Sequence, residues 1–413
     1  MRKLLVHLHR WAGLFMAVFL AVAGLTGSVI AWEHELDRWL NPTFHRVAPF
    51  AGDALPATEI ARRVEAAHPL LRVSYLPLAA PPGQTLVVMV EPRLDPATGQ
   101  PYPLDFDQMA LHPATAVVQG TRLWGRASLA REDIVPFLYK LHYTLFLPRA
   151  WGVDWGVWFL GAVALLWTLD CFIALWLSFP RWAAWRKSLA FRWSRGGQVI
   201  NFDLHRSGGV WTWALMLVLA VTSVAMNLHD EVMEPVVNLF SRTSPSPFDE
   251  RPRRSALEQA QPATVAREAV VEAARAEGLR RGWPDPPGFL SYRAAFGLYG
   301  VDFYVPGISR PGLGPPRLYF DGDTGALVGQ RVPGEGSAGD LFMRLQFPLH
   351  SGRIAGVPGR VVVTLLGVAV TVLSVTGVVL WLTRRSARRR LPTATASPGQ
   401  VGAAYARSAA EGR

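Results

Sequence analysis

The sequence predicts an α-helical polytopic membrane protein, with four spanning helices in two repeats and two small α+β modules on one side of the bilayer. Three observations carry this expectation. Half of the 413 residues are hydrophobic, more than an ordinary soluble enzyme holds. Four apolar stretches pass the length test for a bilayer, which takes about 20 residues at 1.5 Å each. And "LHRWAGL" near the start returns as "LHRSGGVW" near residue 204, each time ahead of such a stretch.

The expected spans are Trp11–Trp32, Val153–Phe179, Gly209–Leu228 and Arg360–Leu382. They divide the chain into 1–32 (helix with its basic N-terminus), 33–152 (external module), 153–179 (helix) and 180–208 (basic loop). After these come 209–228 (helix), 229–359 (second external module), 360–382 (helix) and 383–413 (basic tail, expected to be disordered). The net charge of +11 follows the same division. Residues 1–10, 181–206 and 384–413 hold 16 Lys/Arg against 2 acids, while the remainder carries 26 basic and 29 acidic residues. All three basic pieces fall on one face, as the positive-inside bias requires, which makes both termini cytoplasmic. The charge is topological, and no nucleic-acid partner is expected. The first apolar run is longer than a signal-peptide core and its pattern recurs uncleaved, so an anchor helix is expected. One cysteine, Cys171, cannot build a disulfide, an iron–sulfur cluster or a thiolate zinc site.

Each external segment reads as a helix followed by strands. "ATEIARRVEAAHP" has helical periodicity, "QTLVVMVEP" is a strand and "DQMALHPATAVVQG" is strand–turn–strand. In the second segment "PATVAREAVVEAARAEG" is the helix, and "RLYFDGDTGALVGQ" repeats the strand–turn–strand around an Asp-Gly turn. Residues 241–262 and 305–316 are Pro/Ser-rich connectors. After each module comes a Leu-His approach to the next span: "FLYKLHYTLF", then "LQFPLHSGRIAG".

In the order and duplication of "LHRWAGL", "LHRSGGVW", the two Leu-His approaches and "DGDTGALVG", the chain resembles the PepSY-associated transmembrane family over residues 1–385. The resemblance implies two PepSY-like periplasmic modules on a bacterial inner-membrane bundle. It also implies a place in iron acquisition, since such families include haem-containing ferric-siderophore reductases. Some relatives carry a fused flavodoxin-reductase-like domain. No Gly-rich dinucleotide fingerprint beside a strand–helix unit occurs here, so neither NADPH nor FAD is expected to bind.

Of ten histidines, six stand at membrane boundaries: His9, His34, His142, His205, His229 and His350. Neutral imidazole is an axial ligand of haem iron, and two of them leave no open position, which suits electron transfer. The repeat supplies His9 with His205 near the cytoplasmic face and His142 with His350 near the outer face, enough for one or two b-type haems. Interfacial anchoring is the plainer account of any single one of them. His34 and His229 are the rival outer ligands. They follow His9 and His205 by 25 and 24 residues, about 37 Å of helix, a poor gap for electrons. His7 is expected among lipid headgroups, and His45, His68 and His112 as ordinary external residues.

Three supporting residues remain open. Asp170 sits inside a span at a cost on the order of 3 kcal/mol; it either serves a ligand histidine or arginine, or is protonated and structural. Arg10 and Arg206 either face haem propionates or simply serve the charge bias. Gly13, Gly24, Gly27, Gly208, Gly209, Gly367 and Gly377 allow close approach of a helix or of a macrocycle. The sixteen tryptophans mostly mark span ends and receive no redox role.

The function implied is an oxidoreductase passing electrons across the inner membrane to a ferric siderophore or other ferric chelate. Its donor would be a separate cytoplasmic flavin reductase or membrane quinol. The rival reading is a non-catalytic, membrane-tethered interaction protein acting on a protease or envelope partner. A chelate permease is a third, disfavoured by only four spans.

Overall fold

The computed structural model describes residues 1–180, 183, 185–249, 251–308 and 310–390. The chain begins with the long helix α1 (Arg2–Ile30) and turns through the short helices α2 (Glu33–Leu40) and α3 (Pro42–His45). Helix α4 (Ala57–Ala67) and strands β1 (Leu71–Pro77), β2 (Leu86–Pro92), β3 (Gln108–Leu111) and β4 (Val118–Arg122) form the first module. Helix α5 (Ile134–Thr144) and a small hairpin, β5 (Arg149–Ala150) and β6 (Val153–Asp154), lead into α6 (Trp155–Ser178). Helix α7 (Trp185–Leu189) precedes α8 (Gly197–Asn227), which ends in a π-helical turn at His229–Met233, then α9 (Glu234–Asn238) and α10 (Ala256–Ala260). The second module is α11 (Arg267–Arg280) with β7 (Pro287–Arg293), β8 (Leu298–Phe303), β9 (Arg317–Asp321) and β10 (Leu327–Arg331). Helix α12 (Ala338–His350) and a 3₁₀ turn then deliver α13 (Gly356–Arg390).

Among the described residues, helices α1, α6, α8 and α13 are the four that are long and apolar enough to cross a bilayer, and the protein is a polytopic membrane protein with an attached β-sheet domain. Within the bundle α1 packs along α13 and α8 along α6, while α8 meets α13 and α1 meets α6. Short α5 leans on α1, and short α12 leans on α8. Each of these contacts thus has a counterpart when the first half is exchanged for the second. At the α1–α13 crossing, a Cβ on Gly24 would stand 2.5 Å from the Gly367 carbonyl oxygen and 2.8 Å from Thr371 Oγ1. Only small residues permit that approach, so these two glycines serve helix packing.

The spans run longer than hydropathy alone marks. α1 starts at Arg2 and α8 at Gly197, so both Leu-His-Arg motifs lie inside helices rather than ahead of them. The last twelve residues expected in the basic loop, 197–208, are helical because a helix satisfies its own backbone and continues past the apolar boundary. Likewise α13 extends eight residues beyond the expected end of its span, to Arg390. The remainder of the expected disordered tail, 391–413, lies outside the described residues.

The two modules share one eight-stranded antiparallel sheet, ordered β10-β9-β8-β7-β1-β2-β3-β4. The join is β1 against β7, with Tyr75 opposite Ser291, Leu76 opposite Leu290 and Pro77 opposite Phe289. Helix α4 presents Ala57, Ile60, Ala61 and Val64, the i, i+3, i+4, i+7 stripe of an amphipathic helix. Helix α11 presents Val270, Val271 and Ala274. Together with Leu71, Val73, Val88, Met109, Leu290, Val301, Phe303 and Leu318 they make a single core under both modules. Gly278 is fixed by this packing, since a Cβ there would meet Phe303 Cε1 at 2.6 Å.

A buried polar cluster joins the sheet to the bundle. Asp37, on α2, receives both Arg122 Nη atoms at 2.8 and 2.7 Å, Asn41 at 2.8 Å and His45 Nε2 at 2.7 Å. Arg122 also donates to the Glu132 carbonyl, two residues before α5. Burial pushes the Asp37 carboxyl up, but the His45 and Arg122 hydrogen bonds outweigh it and hold the group below the usual carboxylate range. On the same side Arg353 pairs with Glu33 at 3.0 Å and Arg360 with Glu35 at 2.6 Å, tying α2 to the second half.

Candidate functional site

Four of the six boundary histidines meet as two pairs. The His9 and His205 ring centres stand 6.1 Å apart with planes at 49°, and those of His142 and His350 stand 6.1 Å apart at 58°. His9 projects from α1 and His205 from α8. His142 and His350 come from α5 and α12, the short helices that lean on α1 and α8. His142 contacts Ala23 and Thr26, which follow His9 by 14 and 17 residues; His350 contacts Thr222, which follows His205 by 17. Seventeen residues are about 25 Å of helix, so the pairs occupy two levels along the same two helices.

The hydrogen bonds fix the tautomer of each ring. Thr26 donates its hydroxyl proton to the Val22 carbonyl at 2.7 Å, so toward His142 Nδ1, 3.1 Å away, it can only accept. The Ala23 carbonyl, also at 3.1 Å, accepts too. Thr222 likewise donates to Val218 and accepts from His350 Nδ1 at 3.0 Å. His205 Nδ1 donates to the Leu373 carbonyl at 3.0 Å, with Thr376 Oγ1 at 3.3 Å. His9 Nδ1 lies 2.9 and 3.0 Å from the two carboxylate oxygens of Asp170. Every partner can accept, so each of the four imidazoles directs an Nδ1–H to a fixed acceptor, and among the described residues none of their Nε2 atoms has a hydrogen-bond partner. Burial also holds His142 near 4 and His350 near 3, below the ordinary imidazole range and therefore neutral at physiological pH.

Neutral rings with Nδ1 tied and Nε2 free are the form that binds metal, oriented by the partner of the other nitrogen. The spacing agrees as well. Ring centres 6.1 Å apart would leave room for one metal ion between the two imidazoles at metal–nitrogen bonds of about 2 Å. Two glycines make room for the rings: a Cβ on Gly377 would stand 2.9 Å from His205 Cε1, and one on Gly27 would stand 3.0 Å from His142 Cε1.

A cavity of about 860 Å³ surrounds the His9–His205 pair, bounded by Gly13, Gly209, Trp167 and Trp213. That is within the size range of cofactor sites. Gly13 and Gly209 each follow their histidine by four residues, and a Cβ on Gly13 would meet nothing within 4 Å. Arg10 and Arg206 also line the cavity. The Arg206 Nε is buried and without a hydrogen-bond partner among the described residues. The same guanidinium donates to the Lys187 carbonyl, lies 3.6 Å from Asp203 and sits over the Phe202 ring at 5.0 Å. A haem fits this donor set: two free imidazole lone pairs, an apolar slot and an orphaned guanidinium N–H suited to a propionate.

The sequence model of the family described as PepSY-associated TM region matches residues 6–384. The chain belongs to that family. No curated protein matches it. In this PepSY-associated transmembrane protein the rival histidines stand apart from the pairs. His34 is exposed, 3.6 Å from Glu33, and His229 is exposed in the π-helical turn against Asp230 at 2.6 Å and Glu234 at 3.9 Å.

Two residues set aside from the sequence have definite work. His45, expected to be an ordinary external residue, belongs to the buried Asp37 cluster. His112 accepts from Ala114 N at 3.2 Å in the β3–β4 turn. There it takes the place that Asp321 holds in the β9–β10 turn, where Asp321 Oδ1 accepts from Asp323 N and Thr324 N, both at 2.8 Å. The parallel between "HPATA" and "DGDTG" was the available signal.

Proposed function

We propose that this protein is an inner-membrane oxidoreductase that holds two b-type haems and passes electrons outward to a periplasmic ferric chelate. The reading is carried by one observation: two histidine pairs, each drawn from both halves of the bundle, with every Nδ1 tied and every Nε2 free. His9 and His205 would hold the inner haem, with Arg206 and Arg10 placed for its propionates. His142 and His350 would hold the outer one. Held by two histidines, a haem at either level would supply one-electron transfer between Fe(III) and Fe(II).

The positive-inside bias puts both termini in the cytoplasm and the sheet domain in the periplasm. Under this reading the His9–His205 level would face the donor, a separate cytoplasmic flavin reductase or membrane quinol, and the His142–His350 level would face the chelate. One electron converts chelated Fe(III) to Fe(II), which hard oxygen ligands hold far less tightly, and the organic ligand stays whole.

The test is anaerobic reoxidation. Protein purified with ample haem supply is reduced with dithionite, freed of excess reductant and mixed with a ferric hydroxamate or catecholate. The expected result is return of the oxidised Soret band, with one Fe(II) trapped per electron. A colourless protein would contradict the reading and leave a tethered binding scaffold, and so would a reduced band that persists in excess chelate.

A further inference from the structure

Of the four histidine rings, three rest on neutral partners and one on a carboxylate. In the outer pair each ring rests on a threonine, Thr26 or Thr222, and these are repeat-mates 196 residues apart, the spacing that also carries His9 onto His205. In the inner pair the two rings have unlike partners. His205 gives its Nδ1–H to a neutral carbonyl, Leu373, beside the neutral Thr376 hydroxyl. His9 gives its Nδ1–H to a carboxylate, Asp170, which is 7% exposed and engages the ring with both oxygens. The 208-residue step that carries His142 onto His350 carries Asp170 onto Val378. The second half therefore has no carboxylate at the corresponding place.

A lone carboxylate inside a spanning helix is expensive, and helix packing does not require one. Its geometry gives it a use. A carboxylate accepting the Nδ1–H of a metal-bound imidazole makes Nε2 a stronger donor, and it places a negative charge beside the metal. Both effects favour Fe(III) over Fe(II), and second-shell hydrogen bonding is one of the protein's levers on haem potential.

Building on the proposed function, we infer that Asp170 is a positioning residue that holds the inner haem at a lower potential than the outer one. The electron path then runs downhill from the cytoplasmic level to the external level. The outer pair, resting on neutral hydroxyls and the Ala23 carbonyl, has no such charge on its ring nitrogens, and the difference between the levels is written in one side chain.

The experiment is an equilibrium redox titration of the full-length, haem-loaded protein, followed by absorbance, for wild type, Asp170→Asn and Asp170→Glu. Asn keeps an acceptor oxygen of the same shape and removes the charge. Wild type should titrate in two waves. In Asp170→Asn the lower wave should rise by at least tenfold in its one-electron equilibrium constant, about 59 mV, while the upper wave stays in place. Asp170→Glu should restore the low wave, which separates charge from folding, since a merely structural role would change haem content and leave potentials alone. Two waves that move together, an upper wave that moves alone, or a lower wave unmoved in Asp170→Asn would overturn the inference while leaving haem binding intact. Wild-type protein without porphyrin would overturn the proposed function and this inference with it.

Discussion

The inner and outer histidine pairs share their ring spacing, their tautomers and their helices, yet they are held in different ways. The inner pair is built into the spans: His9 and His205 ride on α1 and α8, and their partners lie on α6 and α13. The outer pair is delivered by two short helices that arrive from the sheet domain. Its geometry therefore depends on how the sheet domain is seated on the bundle, through Asp37, Arg122 and the ion pairs of α2. The comparison teaches that a bundle can carry one histidine pair built wholly into its long helices and a second whose geometry depends on an attached sheet domain.

The largest break in that comparison should come from Asp37→Ala. Removing one member of a buried pair leaves Arg122 uncompensated and costs about 3–5 kcal/mol. Because Arg122 also holds the segment before α5, the outer haem should be lost at a lower temperature than in wild type, while the inner band persists. Thermal titration of the visible spectrum in detergent separates the two. Acid should act in the same direction. Asp37 has a folded pKa below its unfolded value, so its stabilisation is complete above about pH 4 and is lost as pH falls further. The outer band should again go first, read by absorbance against pH.

Glycine substitutions address one pair at a time. Gly377→Ala presses a Cβ toward His205 at 2.9 Å, and Gly27→Ala presses one toward His142 at 3.0 Å. Each should weaken haem retention at its own level by about tenfold, measured by transfer to apomyoglobin, with the other level unchanged. The smallest effect belongs to the sheet. Ala116 sits at φ 62° where the second module has Gly325 at 73°. Ala116→Gly relieves a left-handed strain of about 1–2 kcal/mol but adds chain entropy. A net gain of about 1 kcal/mol or less is expected, seen as a slightly higher unfolding temperature with both haem bands unaltered.

Much of this was legible before the fold was known. The apolar runs marked the spans, the repeated Leu-His-Arg and the two Leu-His approaches identified the residues that meet, and Asp170 stood out by its setting. What stayed hidden was non-local. Nothing in "LRVSYLP" or "PGFLSYR" says that β1 pairs with β7, because two edge strands from separate modules share no turn. The helical reach of α1 and α8 through their basic ends was masked because hydropathy reports solvent preference, not backbone continuity. His45 looked ordinary because its partner Asp37 is buried only when Arg122, 85 residues further along the chain, closes on the same carboxylate as the sheet docks. The Nδ1 partners could not be read from spacing at all, since each lies on a different helix from its ring.

The central claim is that imidazoles from the two halves grip two porphyrins at separate levels. Its most direct test is the haem content of the purified chain, by pyridine haemochrome absorbance per protein, in wild type, His9→Ala and His142→Ala. The account predicts two haems in wild type and one in each variant, with different residual spectra. A colourless wild type, or variants that both keep the full complement, would contradict it.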